Sequence, residues 1–203
     1  DFLIAYNINL NTRDVAIAKD IAFSIREAGR AKRDKDNNII RDEKGKAVKL
    51  PGLLKGVKGI GWYIEEYGIA QLSFNLTNYK DVPLWQLFET AVSEAEKRGV
   101  RVTGSELVGL LPKDCIMECG AHFLKKAKRS TGVPERELMH IAIKSLGLDE
   151  ITKFDIDEKV IEYKIAKAAP LGDMKLKDFI DEVGKDSPAP GGGSVAALAG
   201  ARS

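Results

Sequence analysis

The sequence is poor in the residues on which disulfide-bonded, metal-binding and membrane proteins depend. Its 203 residues include only two cysteines and two histidines, which is typical of a reducing compartment, and we expect a cytoplasmic protein. No apolar run approaches the roughly 18 residues that span a bilayer. The formal net charge is only +2, which favours neither nucleic acid nor an anionic membrane as a partner.

The common catalytic and nucleotide-binding motifs are missing as well. The sequence contains no Walker loop, no G-x-S-x-G and no G-x-G-x-x-G ahead of a helix. Cys115, Cys119 and His122 share one stripe of a predicted helix, but a fourth ligand is not evident, and we expect no metal. His140 follows two apolar residues on another predicted helix and is interpreted as a packing or capping residue. No side chain stands out as a nucleophile or general base.

What the sequence does contain is a regular alternation of strand and helix patterns. The predicted elements are a strand at 2–9, a helix at 13–28, strands at 57–64 and 69–75, a helix at 83–98 and a strand at 100–105. The order β-α-β-β-α-β predicts an α+β, ferredoxin-like antiparallel sheet with helices on one face. Extra helices are predicted at 113–129 and 135–146, then an extended segment at 159–165 and a short helix at 176–183. The charged segment 30–51 predicts a protruding β-hairpin closed by a glycine turn.

The face of this sheet that the helices leave uncovered is predicted to be polar but almost uncharged. Strand alternation, with Ile60 and Trp62 assigned to the helix side, places a set of small and amide residues opposite. The candidate residues for ligand binding or for an interface with another subdomain are Asn7, Asn9, Gly59, Gly61, Tyr63, Gln71, Ser73 and Asn75, with Thr103 and Ser105 beside them. Glycines within a strand are typical of close approach by a ligand or another backbone. The face is either packed against another domain or binds a flat heterocycle, and we favour both together.

Both ends of the sequence are abrupt. The first strand begins at residue 2, and the last residues, 187–203, are a Pro/Gly-rich turn followed by the start of an apolar helix. We therefore expect a piece of a longer chain.

Several segments resemble one enzyme family in the right order. Segments 2–10 (FLIAYNINL), 56–63 (GVKGIGWY), 70–75 (AQLSFN), 104–112 (GSELVGLLP), 145–149 (SLGLD) and 160–163 (VIEY) resemble the C-terminal subdomain of glutamate formimidoyltransferase. The tail 189–196 (APGGGSVA) resembles the start of the formimidoyltetrahydrofolate cyclodeaminase domain. The resemblance divides the chain into a transferase subdomain at 1–166, a linker with a short helix at 167–186, and a truncated cyclodeaminase start at 187–203.

The resemblance implies a folate enzyme of histidine degradation. The family moves a formimidoyl group from N-formimidoyl-L-glutamate to tetrahydrofolate, its co-substrate, and the cyclodeaminase then converts the product to 5,10-methenyltetrahydrofolate without a metal. In this family folate binds between the sheets of two subdomains, which makes the residues of the uncovered face candidates for folate binding. The partners that the resemblance implies are the N-terminal transferase subdomain, the cyclodeaminase domain and further copies in a homo-oligomer.

The resemblance also implies that this chain contains no catalytic residue. The family's catalytic histidine belongs to the N-terminal transferase subdomain, and the catalytic aspartate of the cyclodeaminase is expected beyond Ser203, the last residue of the sequence. We therefore expect the chain to be inactive alone.

Two other functions are compatible with the predicted fold. An amino-acid-sensing regulatory module would bind its ligand at helix ends and dimerise. An RNA-binding module would expose stacking aromatic residues amid basic charge on the sheet, whereas the predicted face shows mainly amides.

Overall fold

The computed structural model describes residues 2–168. Residues up to Ile161 form one compact unit, and a second unit begins at Glu162. The strands are β1 (Ile4–Leu10), β2 (Arg30–Ala31), β3 (Lys49–Leu50), β4 (Val57–Ile64), β5 (Ile69–Leu76) and β6 (Val102–Val108). The helices are α1 (Val15–Ile25), α2 (Leu84–Glu96), α3 (Lys113–Lys126), α4 (Glu135–Leu146), α5 (Ile156–Lys159) and α6 (Ile161–Ala168). Within the described part of the chain, no helix is both long and apolar enough to cross a membrane.

The main sheet has four antiparallel strands in the order β4-β5-β1-β6. Helix α1 packs on β4 and β5, and α2 contacts β1 and β6. Since β2 and β3 belong to a separate two-stranded ribbon, the order of the main elements is β-α-β-β-α-β. The predicted ferredoxin-like α+β fold is confirmed.

Local sequence accounts for the helix boundaries. The Asp14 side chain accepts hydrogen bonds from the N–H groups of Ala16 and Ile17, so α1 begins after Asp14 rather than at the predicted position after Thr12. Helices α2, α3 and α4 each follow a proline, a residue whose fixed φ suits a helix start. Helix α4 ends at Gly147 in the left-handed conformation.

The charged segment 30–51 forms the predicted ribbon, with one turn more than expected. The Asp42 carboxylate caps a turn that closes at Gly45, and Asp34 caps a similar turn before it.

The C-terminal predictions fare differently. The prediction of an extended segment at 159–165 is wrong, because these residues lie in α5 and α6. Among the described residues of this segment, the only extended feature is the short bridge between Leu111 and Val160. The helix predicted at 176–183 lies outside the described residues, and so does the predicted cyclodeaminase start that runs to Ser203. The expectation of a catalytic aspartate beyond Ser203 therefore stays a prediction.

The core lies between the sheet and the helices. Tyr6, Leu72 and Phe74 are fully buried on the sheet side, and they meet the apolar faces of α1 and α2. Phe74 thus points to the helices, as predicted.

The predicted faces of β4 are reversed. Gly59 and Gly61 pair with Phe74 and Leu72, so they face the helices rather than the uncovered side. A Cβ at Gly61 would lie 2.3 Å from the backbone of Ala18 in α1, so this glycine lets the helix backbone approach the strand. At Gly59 the space is taken by a side chain instead, since a Cβ there would lie 2.4 Å from the Phe74 ring.

The same reversal moves three further side chains. Tyr63 shares the side of Gly61 by alternation and lies partly exposed at the strand end opposite Ala70. Ile60 and Trp62, predicted to pack under the helices, are instead on the uncovered side and are 51% and 45% exposed.

The end of β6 also departs from the predicted faces. The prediction for Ser105 is wrong, because its hydroxyl accepts a hydrogen bond from the buried Tyr6 phenol on the helix side. Thr103 is exposed where the register between β1 and β6 shifts after Asn9, so the simple alternation used for this strand is interrupted there.

Candidate functional site

The uncovered side of the sheet, called the open face below, is organised as three rows of cross-strand neighbours. Each row contains one residue from β4, β5, β1 and β6, in that spatial order. The rows are Trp62–Gln71–Asn9–Gly104, then Ile60–Ser73–Asn7–Glu106, then Lys58–Asn75–Ala5–Val108. Cross-strand neighbours lie about 4.5–5.5 Å apart at their Cα atoms, so side chains within a row can interact directly.

The first row is a continuous chain of hydrogen bonds. The Trp62 indole N–H donates to Oε1 of Gln71 at 3.0 Å, and Nε2 of Gln71 donates to Oδ1 of Asn9 at 2.7 Å. Nδ2 of Asn9 then donates to Oε2 of Glu150 at 2.6 Å. Gln71 and Asn9 are completely buried by these contacts. Their amides therefore hold the face in shape, and much of their hydrogen-bonding capacity is already used.

Glu150 reaches this face around the edge of the sheet. The N–H of Ser105 in edge strand β6 donates to the carbonyl of Gly147, and the Ser105 hydroxyl donates to the carbonyl of Leu146 at 2.6 Å. These bonds fasten the end of α4 to β6, and the following turn carries Glu150 over Gly104. A Cβ at Gly104 would lie 2.7 Å from both the carbonyl oxygen of Gly147 and the Cβ of Glu150, so only glycine fits beneath this turn.

The middle row has unused hydrogen-bonding groups. Asn7 is only 6% exposed, yet its amide has no hydrogen-bond partner within residues 2–168. No fully buried side-chain nitrogen or oxygen of the described residues lacks a partner, so the Asn7 amide atoms are still reached by solvent. On either side of Asn7 lie Ser73 and Glu106, both half-buried. A buried amide that folding leaves unpaired is typical of a group that a ligand or a covering domain will pair with.

A tyrosine from the β4–β5 turn lies near this row. The Glu106 carboxylate raises the pKa of the Tyr67 phenol above its usual value, with smaller contributions from burial and from Glu66. The phenol is therefore protonated at neutral pH.

The two edge strands give the face an apolar rim. Val108 is 49% exposed, and together with Ile60 and Trp62 it leaves apolar surface on both edge strands. Asn75, in this row, is exposed. Exposed apolar side chains that lie close together are typical of surfaces that are covered in an assembly.

The structure thus brings together five of the eight candidates from the sequence. Asn7, Asn9, Gln71, Ser73 and Asn75 share the open face, whereas Gly59, Gly61 and Tyr63 do not. Sequence reasoning missed Trp62, Glu106 and Glu150. The register of the β4–β5 hairpin was a usable signal for the first, because a turn at 65–68 pairs Trp62 with Gln71.

The cysteine and histidine stripe of α3 has structural partners. The Cys115 and Cys119 side chains are buried, and a hydrogen bond with Cys115 together with burial raises the pKa of the Cys119 thiol well above its usual value. The His122 ring stacks on Trp85 with 3.7 Å between ring centres, and Nε2 lies 3.1 Å from Oε2 of Glu89. A protonated, buried thiol is a poor metal ligand, and no group of residues within 2–168 is arranged to hold a metal ion.

Two protein-family models match this sequence, one over most of the chain and one at its C-terminal end. The model of the Formiminotransferase domain family matches residues 5–166, and the model described as Formiminotransferase-cyclodeaminase matches residues 175–203. The chain is 40% identical over 204 residues to Formimidoyltransferase-cyclodeaminase of Mus musculus, covering 98% of this chain and 34% of that protein.

Proteins of other organisms are also similar to this chain. The chain is 37% identical over 202 residues to Formimidoyltransferase-cyclodeaminase of Dictyostelium discoideum, covering 97% of this chain and 34% of that protein. It is 34% identical over 125 residues to Glutamate formimidoyltransferase of Thermoplasma acidophilum, covering 62% of this chain and 34% of that protein. The chain spans about a third of the length of these curated relatives. Because a domain model covers most of its length, the chain belongs to the formiminotransferase domain family.

Proposed function

We propose that this chain is part of a glutamate formimidoyltransferase and that its open face forms one wall of the site where the formimidoyl group passes from N-formimidoyl-L-glutamate to tetrahydrofolate. The N-terminal transferase subdomain of the parent chain forms the opposite wall. In this proposal residues 1–166 are the C-terminal transferase subdomain, 167–186 are a linker, and 187–203 begin a cyclodeaminase domain that deaminates the product within histidine degradation.

The observation that carries this proposal is the middle row of the open face. Asn7 offers a buried amide without a partner among the described residues, and Ser73 and Glu106 flank it. A pterin ring has alternating donors and acceptors along its edge, which the Asn7 amide and the Ser73 hydroxyl can pair with. The apolar rim at Ile60, Trp62 and Val108 supports a covering subdomain, since burying it would be favourable.

The wall supplied by this chain binds and orients ligands, and the chemistry is assigned to other parts of the parent chain. Proton transfer at a formimidoyl group needs a positioned acid–base residue, which we place in the N-terminal subdomain, and we place the catalytic aspartate of the cyclodeaminase beyond Ser203. We therefore expect the 203-residue chain alone to show no transfer when it is mixed with N-formimidoyl-L-glutamate and tetrahydrofolate. Turnover comparable to that of the whole transferase would contradict this division of roles.

The binding role of the open face is tested with two asparagine variants in the intact parent enzyme. Asn7→Leu should weaken tetrahydrofolate binding about tenfold or more, because a ligand group is left unpaired. It should not lower the melting temperature, because Asn7 has no partner within the described residues. Asn9→Leu is the matched control, since it breaks two hydrogen bonds and should lower the melting temperature. Normal binding of both substrates by Asn7→Leu would place the site elsewhere.

A further inference from the structure

The open face contains one carboxylate that forms no ion pair with another of the described residues. Glu106 is half-buried in edge strand β6, beside Asn7. No hydrogen bond or ion pair joins it to another of the residues 2–168. The cation of the open-face rows, Lys58, is in β4, at the opposite edge of the sheet. Glu150, the other carboxylate on this face, is already bonded to Asn9.

The neighbours of Glu106 limit what can pair with it. The Asn7 amide, which lies directly opposite Glu106 on β1, supplies a donor and an acceptor. A half-buried carboxylate in such a polar, uncharged setting favours a planar cation with two parallel N–H donors, because that geometry allows two charge-assisted hydrogen bonds at once.

The donor substrate of the proposed reaction has such a group. A formimidoyl group on nitrogen is an amidine, a strong base that is protonated at neutral pH. In its protonated form the substituted nitrogen and the terminal nitrogen each have an N–H, and both can point to the same side. This edge resembles that of a guanidinium group, which forms paired hydrogen bonds with carboxylates.

We propose that Glu106 binds the formimidoyl group of N-formimidoyl-L-glutamate through a paired hydrogen bond between its carboxylate and the two N–H groups of the amidinium. Asn7 lies beside the pair and holds the group in the plane of the carboxylate. Glu106 is therefore a specificity-determining residue, which distinguishes an amidine from a neutral formyl group. This inference rests on the proposed function.

The pterin ring of tetrahydrofolate also has an edge that could form paired hydrogen bonds with a carboxylate. The 2-amino group and adjacent ring N–H of a pterin also form two parallel donors, although without a full positive charge. The experiment must therefore separate the amidine of the donor substrate from the pterin of the acceptor.

The test compares Glu106→Gln with the wild type in the intact parent enzyme. Glu43→Gln, which removes an exposed carboxylate from the ribbon at 30–51, is the control variant. Calorimetry measures the affinity for N-formimidoyl-L-glutamate, for N-formyl-L-glutamate and for tetrahydrofolate, each added alone. N-formyl-L-glutamate replaces the cationic nitrogen by a neutral oxygen and leaves the rest of the ligand unchanged.

We expect the wild type and Glu43→Gln to bind the formimidoyl compound about tenfold or more tightly than the formyl compound, in line with the strength of charge-assisted hydrogen bonds. In Glu106→Gln this ratio should fall to about one, with tetrahydrofolate affinity and melting temperature unchanged. A ratio that survives in Glu106→Gln overturns the proposal. If tetrahydrofolate binding weakens while the ratio survives, the pterin edge is the partner of Glu106 and the proposal is also wrong.

Failure of the proposed function gives a different result. A wild-type enzyme that transfers no formimidoyl group to tetrahydrofolate contradicts the proposed function, whatever the binding ratio is. A wild type that performs the transfer but binds the two glutamate derivatives equally contradicts only the role of Glu106.

Discussion

The contact between Gly61 and helix α1 leads to a prediction opposite to the one that strand alternation suggested. If Gly61 were on the open face, a larger side chain would block a ligand and spare the core. In the structure, a Cβ at this position would lie 2.3 Å from the carbonyl carbon of Ala18 and from the amide nitrogen of Lys19. Ordinary contacts of this kind are longer than 3.4 Å, so α1 would have to move by about 1 Å.

The cost of that movement follows from what lies beneath the helix. Ala18, Ile21 and Ala22 are completely buried against the sheet, and a shift of the helix would loosen all of these contacts. Overpacking of a core typically costs about 1–3 kcal/mol. Because the obstacle is backbone rather than a movable side chain, we expect Gly61→Ala to reach the upper end, about 3 kcal/mol. For a chain of this size that corresponds to a melting temperature lower by roughly 6–12 °C.

The assay is thermal unfolding of the 203-residue chain and its variants, followed by circular dichroism. Gly132→Ala is the control, because the nearest atom to its added Cβ is the Ser130 hydroxyl at 3.4 Å, and it should change the melting temperature little. Gly61→Val should fold poorly or not at all. A melting temperature of Gly61→Ala within about 2 °C of the wild type would refute the close approach of α1 to β4.

Three further predictions concern the open face and the helix layer. Gln71→Leu removes the partner of both Trp62 and Asn9 and should cost about 1–3 kcal/mol in a denaturant titration; an unchanged midpoint would contradict the hydrogen-bonded row. The isolated chain should associate through its exposed apolar rim, and Trp62→Lys should shift light scattering towards the monomer; a wild-type chain that is monomeric at all concentrations would contradict this. Burial raises the pKa of Glu94, but hydrogen bonds from two cations outweigh it and hold the pKa below its ordinary 4.5, so this carboxylate stabilises the fold above that pH and the contribution is lost as the pH falls through the lowered pKa. Glu94→Gln should therefore lower the melting temperature at pH 7 and not at pH 3, and an equal loss at both would contradict the charge pairing.

The order of the elements could be read from the sequence because it depends on local patterns. Apolar residues at helical spacing in 83–98 and period-two runs in β1, β4 and β5 predicted the elements that the structure contains. The ferredoxin-like arrangement followed from their order, since few topologies satisfy β-α-β-β-α-β with short connections. The family resemblance, carried by short segments in the right order, is confirmed by the domain match at 5–166.

The segment at 159–165 shows where local patterns were insufficient. It was predicted to be extended, but Asp155 caps a short helix and Val160 bridges Leu111 before a second helix begins. Contacts with a residue far away in the chain decided this conformation, and no periodicity within seven residues reports such contacts.

The sequence alone determined that one side of the sheet would present amides, and Asn7, Asn9, Gln71, Ser73 and Asn75 are there. It did not determine which side of β4 faces the helices. Alternation separates the residues of a strand into two sets but does not say which set is buried, and the set with the large apolar residues was assumed to be inside. Only the tertiary structure reversed that strand. Helix α1 approaches Gly61 closely and the Phe74 ring fills the space at Gly59, so both inside positions are glycine and Ile60 and Trp62 are left outside. Only the tertiary structure, likewise, carried Glu150 around the sheet edge to Asn9 and left Glu106 beside Asn7 without a partner among the described residues. These placements depend on how separate elements pack together, which no single stretch of the chain encodes.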